Sequence, residues 1–288
     1  MNSHSLPFGL LALAACSVWS PSLRLGNWRF APWQPLLAAA LLAAWVGGVL
    51  SLSALLILIS FAAGVLYARG VEVPALSQGL ICLIALAALA LSVHLVPGIA
   101  NPLVFAGTLH EGARPMKFYL NFDKGFVGVM LLAVFAQRGV AAFSSARTWA
   151  SLGLIGVLTL AAVFGLAWGT GAIRFEPKWP PFAWTFLFAN LFFVALAEEA
   201  FFRGLLQEQL ARLLGRGSVW RVLLPIAFSA IFFGLAHGPA MAVLASVAGL
   251  GYALAYAASR NILAPTLLHF GVNTLHFGLF SYPSLLKS

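Results

Sequence analysis

One short stretch of the 288-residue chain places three charged side chains among apolar residues, at Glu198, Glu199 and Arg203. Seventeen residues without a formal charge, Pro181 to Ala197, precede the first of them, so both carboxylates lie deep along an apolar segment. A charge at the middle of a bilayer costs about 2.5–3.5 kcal/mol on insertion scales. Charged residues in such a position are therefore candidates for function.

The spacing of these three residues gives them different roles. Glu199 and Arg203 are four positions apart, so on a helix they share one face, where the guanidinium would keep that carboxylate ionised. Glu198 points about 100° away around the helix and has no partner in the local sequence. We expect Glu199 and Arg203 to be supporting residues and Glu198 to face another group.

Further polar residues follow in later apolar segments. His237 is followed by Gly238-Pro239, a pair expected to end its helix. His269 and Asn273 are four positions apart and would share one helix face. Together with the two glutamates, these residues predict an internal polar site, because consecutive apolar segments rarely carry so many polar side chains.

Such a set of side chains can hydrolyse an amide bond. Hydrolysis needs a base that takes a proton from water, and donors where the carbonyl oxygen becomes negative. Glu198 with His237 can hold and deprotonate the water, while His269 and Asn273 can donate to the developing oxyanion. The predicted catalytic residues are therefore these four, with no serine or cysteine nucleophile and no cofactor.

A metal-assisted alternative uses three of the same residues. Glu198, His237 and His269 would form a site with one carboxylate and two histidines that activates water on Zn²⁺. The sequence has no HExxH motif, and the two histidines are 32 positions apart. The metal-free glutamate mechanism is the prediction, and zinc stays the alternative.

The composition indicates which elements position these residues. Hydrophobic residues make up 62% of the chain and charged residues 8%, against roughly 45–50% and 25% in a typical soluble domain. A chain with so few charges cannot cover itself with a polar surface in water. We therefore predict an all-α, polytopic transmembrane helix bundle. The net charge of +9 fits positive loops that orient helices, and its residues are not clustered as nucleic-acid binding requires.

Ten apolar segments are candidate helices, and because the shortest can be interfacial we expect eight to ten membrane helices. The segments are Leu6–Trp19, Trp33–Leu50, Ser51–Ala68, Ala75–Pro97, Phe126–Val140, Ala150–Ile173, Pro181–Leu206, Val219–Ala236, Met241–Ala258 and Ile262–Phe280. The longest polar interval, Gly98–Lys124, is interpreted as a connecting loop.

At the charged and polar residues the sequence resembles the CAAX protease and bacteriocin-processing (CPBP) family of integral membrane endopeptidases. That family is marked by the motifs EExxxR, FxxxH and HxxxN. Here they are Glu198–Arg203, Phe233–His237 and His269–Asn273, in this order and on successive apolar segments. Each motif alone is weak, but the ordered set is specific, and the resemblance covers about residues 181–280.

The resemblance implies an intramembrane protease of the glutamate type. By carry-over, Glu198 is the catalytic acid and base, and His237 helps to activate water. His269 and Asn273 would form the oxyanion site, supported by the second glutamate and the arginine of the first motif. Eukaryotic members trim prenylated CAAX proteins, and bacterial members process bacteriocins or cut protein tails beside membrane anchors. A membrane-associated protein or peptide is therefore the expected substrate.

The resemblance also sets the expected organisation and location. Residues 1–124 would form variable membrane helices with the polar loop, and residues 125–288 a helical protease core with the motifs in 181–280. We expect a multi-pass protein of the bacterial inner membrane, in contact with the lipid bilayer and not with nucleic acid. The oligomeric state is not predicted.

Two other classes of function can use buried polar residues. A transporter or ion-coupled channel can use Glu, His and Arg side chains as an ion path. Transporters often repeat such features in two halves of the chain, and the front half here has no matching set. A membrane scaffold without catalysis is the third possibility.

Overall fold

The structure, a computed structural model, describes residues 5–139, 141–215 and 217–286, and this part is predominantly helical. The helices are α1 (Ser5–Ser17), α2 (Trp33–Val46), α3 (Leu52–Ala68), α4 (Pro74–Ser92), α5 (Phe122–Val134), α6 (Ala146–Gly169), α7 (Ala183–Ala189), α8 (Leu196–Glu199), α9 (Glu208–Leu214), α10 (Trp220–Ala236), α11 (Ala242–Ser259) and α12 (Leu263–Leu279). The strands β1 (Leu23–Leu25) and β2 (Trp28–Phe30) form one two-stranded sheet, and β3 (Leu103–Gly107) and β4 (Met116–Tyr119) another. Each of the ten predicted segments overlaps a helix, which confirms the all-α fold class.

Four helical segments in the described residues are long and apolar enough to cross a membrane. They are Pro74–Ser92, Ala146–Gly169, Ala183–Leu214 and Ala242–Ser259. Shorter apolar helices are α1, α2, α3 and α10. Only 17% of the apolar window of α4, and the same share of α6, is buried inside the structure. These helices expose apolar side chains as lipid contact requires, and the chain is an integral membrane protein.

The chain divides into two compact units, which are described separately. The first contains Met1–Leu103, Tyr119–Phe135 and Phe192–Phe201. Its central element is α5, which packs against α1, α3, α4 and α8 and is buried along almost its whole length. An apolar helix surrounded on all sides in this way is a core helix.

The second unit contains Val104–Phe118, Ala136–Leu191 and Phe202–Ser288. Here α11 is central and packs against α6, α10 and α12. Small residues make this packing close: a Cβ atom added at Gly251 of α11 would collide with the Thr159 side chain of α6. Close approach of helix backbones at small residues is typical of membrane proteins.

The helical segment Ala183–Leu214, which we call the motif helix, is not a regular α-helix. It contains π-helical turns at Asn190–Ala195 and Ala200–Gln207, on either side of α8. π-helical turns are rare and frequently occur at functional sites. The pairing of Glu199 with Arg203, which is based on α-helical spacing, stays a prediction.

Two further details differ from the sequence-based expectation. The interval Gly98–Lys124 is more than a connecting loop, because it contains β3, β4 and the first turn of α5. Helix α5 therefore begins four residues before the predicted segment, at Phe122. Val140, the predicted end of that segment, lies outside the described residues. By contrast, α10 ends at Ala236 as the Gly-Pro pair predicts.

Candidate active site

Glu198 lies on α8 in the first unit, where it forms an ion pair with Lys124 of α5. The Lys124 Nζ atom is 2.5 Å from Glu198 Oε1, and the side chains are 17% and 13% exposed. Charge-assisted hydrogen bonds of this kind are short and are roughly twice as strong as neutral ones. The ammonium group therefore fixes the position of the carboxylate that the sequence singles out.

Two glycines of α5 allow the motif helix to come close enough for this pair. A Cβ atom added at Gly128 would lie 2.7 Å from both Cα and Cβ of Ala197, the residue before Glu198. A Cβ added at Gly125 would lie 2.6 Å from the Phe193 ring. Real Cβ atoms do not approach other atoms so closely, so only glycine fits at these positions.

The beginning of α5, which carries Lys124, is held by part-buried polar contacts. The Asn101 side chain accepts a hydrogen bond from the Phe122 N–H at 2.8 Å and donates one to Asp123 Oδ1 at 3.1 Å. The other Asp123 oxygen accepts from His94 Nδ1 at 2.7 Å. Side-chain partners satisfy the unpaired groups of a helix end and restrict its first turn. These contacts fix the first turn of α5 and therefore the position of Lys124 beside Glu198.

Arg203 is fully buried in the second unit, in a pocket of aromatic rings. Its guanidinium donates a hydrogen bond to the Gly249 carbonyl at 2.7 Å. Its Cζ atom lies 4.8 Å from the centre of the Phe233 ring and 5.4 Å from that of Tyr252. Cations over aromatic faces are attracted by the ring quadrupole, more strongly when water is excluded. These contacts tie the motif helix to α10 and α11.

The two motif histidines contact the same aromatic ring. His237 follows the last residue of α10, and its Nδ1 donates to the Phe233 carbonyl at 2.7 Å. That bond fixes Nδ1 as a donor, so in the neutral ring Nε2 is an acceptor. His269 of α12 is buried, stacks on Tyr252 at 4.6 Å and meets the Phe233 ring edge-to-face at 5.5 Å. Phe233 therefore links Arg203, His237 and His269.

The end of α12, the helix of His269 and Asn273, is joined to the segment that follows α6. The Ser281 N–H donates to the Arg174 carbonyl at 2.9 Å, and the Glu176 N–H donates to the Leu279 carbonyl at 2.8 Å. The Arg174 side chain donates to the Glu176 carboxylate at 2.7 Å, and this bond lowers the pKa of Glu176. The glutamate is therefore ionised at neutral pH.

The structure thus places the predicted residues in two groups. Arg203, His237 and His269 gather around Phe233 in the second unit, and Asn273 lies on α12, the helix of His269. Glu198 and the buried Glu199 belong to the first unit. The assembly of one catalytic site from both groups stays a prediction from the motifs.

Sequence reasoning missed three residues that contact the predicted ones. Lys124 was treated as part of a polar loop, because its partner Glu198 is 74 positions away and periodicity carries no signal over that distance. Phe233 was noted only as a motif letter, and Tyr252 was not singled out. The phenylalanine that the FxxxH motif requires could have identified Phe233. No motif includes Tyr252, so the sequence gives no reason to single it out.

Metal binding is the alternative that the sequence left open. Within residues 5–139, 141–215 and 217–286, no group of three His, Cys, Asp or Glu side chains is arranged to hold a metal ion. Whether Glu198, His237 and His269 bind zinc is tested by the effect of a chelator on cleavage.

Comparison with known proteins gives one finding that bears on this site. Residues 178–275 match a family model described as type II CAAX prenyl endopeptidase, Rce1-like. All three motifs lie inside the matched region, which covers about a third of the chain. No curated protein and no solved structure matches the chain significantly.

The match defines the class of this region as an intramembrane endopeptidase domain. Within that class, residues 178–275 are similar to the Rce1-like type II CAAX prenyl endopeptidases. The resemblance that the three motifs indicate is therefore confirmed.

Proposed function

We propose that the protein cleaves peptide bonds of membrane-associated substrates by a glutamate mechanism in which Glu198 activates a water molecule. The observation that carries the proposal is the ion pair between Lys124 and Glu198, of which Glu198 lies inside the region similar to the Rce1-like endopeptidases. A buried carboxylate is costly unless it is paired, so a chain that retains one in an apolar helix has a use for it.

The proposed reaction assigns one step to each motif. Glu198 takes a proton from water while His237 orients that water, and the oxygen attacks the carbonyl carbon of the substrate. His269 and Asn273 donate hydrogen bonds to the oxygen that becomes negative. Glu198 then gives its proton to the leaving amine as the carbon–nitrogen bond breaks.

The proposed substrates are CAAX-type tails or segments next to a membrane anchor, and the proposed location is the bacterial inner membrane. The match to the family model and the apolar helices support both proposals. Zinc is not needed in this mechanism, because the carboxylate itself removes the proton from water.

Newly formed protein termini are the direct test of this function. The purified wild-type protein is incubated with membrane proteins of the source cell, with and without a chelator, and new termini are identified by mass spectrometry. We expect new termini that are absent with a Glu198→Gln variant and unaffected by the chelator. Loss of cleavage with chelator and its return with zinc would instead support the metal mechanism. Ion flux in liposomes that depends on Glu198, without any new termini, would show that the protein is a transporter and not a peptidase.

Lys124 is proposed to act as a positioning residue for Glu198. Lys124→Met keeps the length of the side chain but removes the ammonium group, and we expect the cleavage rate to fall about 10–100-fold, as for loss of a hydrogen bond to a charged group worth roughly 1.5–3 kcal/mol. The measurement is the cleavage rate at saturating substrate. Lys124→Arg restores the positive charge and is expected to recover most of the rate. Equal losses in both variants would show that Lys124 acts only through packing.

A further inference from the structure

A second polar region of the structure lies outside the motifs, at a cavity in the second unit. The cavity has a volume of about 750 Å³ and is formed by α9 and by the ends of α10 and α11. Its polar lining consists mainly of Gln137, Gln207, Glu208, Arg212, Arg221 and Arg260. The size is that of a small-molecule site, because such sites typically have about 300–1,000 Å³.

A buried carboxylate organises the arginines of this cavity. Glu208 is almost fully buried and accepts hydrogen bonds from Arg212 Nε at 3.2 Å and Arg260 at 3.0 Å. It also accepts from the Tyr256 hydroxyl at 3.0 Å and the Gln137 amide at 3.3 Å. Four donors on one carboxylate hold the two guanidinium groups at the cavity wall.

The cavity carries an excess of positive charge. Three arginines and one glutamate line it, which leaves two positive charges. The Arg212 and Arg260 side chains are 55% and 56% exposed, and each contacts Glu208 through one nitrogen. A guanidinium has five N–H donors in a planar fork that matches phosphate, so these contacts alone leave donors for another acceptor.

The backbone at Arg260 supports a specific role for this side chain. Arg260 ends α11 with φ of 51°, in the left-handed region that favours glycine. An arginine at such a position is held there by its contacts with Glu208 and Tyr256. Non-glycine residues in this conformation occur where the surroundings fix them, often at functional sites.

The surface beside the cavity is apolar. Leu213 of α9 and Val219, Trp220, Val222 and Leu223 at the start of α10 are exposed. Tryptophan at the end of an apolar helix is typical of the interface between membrane and water. An arginine-rich cavity next to exposed apolar side chains matches a phospholipid, whose phosphate and acyl chains need these two surfaces together.

We propose that this cavity binds the phosphate of an anionic phospholipid headgroup, held by Arg212, Arg221 and Arg260. The Gln207 Oε1 atom is buried at the cavity and makes no hydrogen bond within the described residues, so it can accept from a headgroup hydroxyl. This site is independent of the peptidase mechanism, and either can fail without the other.

Native mass spectrometry of the full-length protein in an uncharged detergent tests the site. Phosphatidylglycerol, phosphatidylcholine and inorganic phosphate are titrated in turn. We expect phosphatidylglycerol to bind at least tenfold more tightly than phosphatidylcholine, and more weakly as salt is added. Equal affinity for both lipids would overturn the proposal. If inorganic phosphate binds as tightly as phosphatidylglycerol, the ligand of the cavity is a free phosphate and not a lipid.

Variants of the arginines locate the binding. The Arg212→Gln, Arg260→Gln double variant is expected to lose the preference for phosphatidylglycerol. If this variant does not fold, Arg221→Gln serves instead, because it leaves the contacts of Glu208 with Arg212 and Arg260 in place. Arg24→Gln removes an exposed charge that does not line the cavity and is the matched control. Wild-type preference in the cavity variants, or equal loss in the control, would contradict the site.

Discussion

Replacing Glu198 by glutamine is expected to lower the rate of peptide-bond cleavage by about 10²–10⁴-fold, the usual contribution of a general base. The amide has the size of the carboxylate but cannot take a proton from water. Because the side chain keeps its shape, α8 keeps its packing against α5. The measurement is the single-turnover rate on a substrate found by mass spectrometry, together with the thermal unfolding temperature.

A matched variant separates catalysis from loss of charge. Glu72→Gln changes an exposed glutamate between α3 and α4 in the same way, and its rate is expected to equal that of wild type. An unchanged rate for Glu198→Gln would remove Glu198 as the base. A loss of rate that follows a lower unfolding temperature would show instead that the residue is needed for folding.

Gly128→Val is expected to lower both stability and activity, although position 128 lies outside the motifs. The valine side chain would collide with Ala197, since even a Cβ atom would lie 2.7 Å from the Cα of that residue. Overpacking of this kind costs about 1–3 kcal/mol of stability. It also moves α8 away from α5 and so separates Glu198 from Lys124. Since misplacement by about 1 Å can lower a rate by roughly 10²-fold, we expect activity to fall more than stability does.

Gly64→Val is the control for this substitution. Gly64 lies in α3, and a Cβ atom there would meet no atom within 4 Å. We expect this variant to unfold at the wild-type temperature and to cleave at the wild-type rate. The close approach of α5 and α8 would be refuted by a Gly128→Val protein with wild-type rate and unfolding temperature.

The sequence predicts the helices well because their signal is local. Runs of apolar residues about 20 long have few alternatives to a membrane helix, and Gly238-Pro239 ends α10 where expected. The short sheets were not predicted, because strands of three to five residues in polar intervals give no usable alternation.

The candidate site was predicted by residue type and not by contact. The motifs single out Glu198, His237 and His269, yet the Lys124 ion pair joins positions 74 apart and depends on how α5 packs. The aromatic ring of Tyr252 beside His269 is likewise a tertiary contact. Contacts between distant segments depend on packing geometry, which one sequence does not encode in its periodicity.

The π-helical turn at Ala200–Gln207 has a consequence for how this helix tolerates insertions and deletions. A π-helix bonds each residue to the fifth along, one more than in an α-helix, so it accommodates an extra residue without breaking. Deleting one residue there would let the segment relax to α geometry while the later side chains keep about the same facing. Glu208 would then still reach Tyr256 and Arg260, with which it is hydrogen-bonded. The irregular turn is therefore a place where the chain tolerates a one-residue deletion, whereas the same deletion in a regular α-helix would turn each later side chain by about 100°.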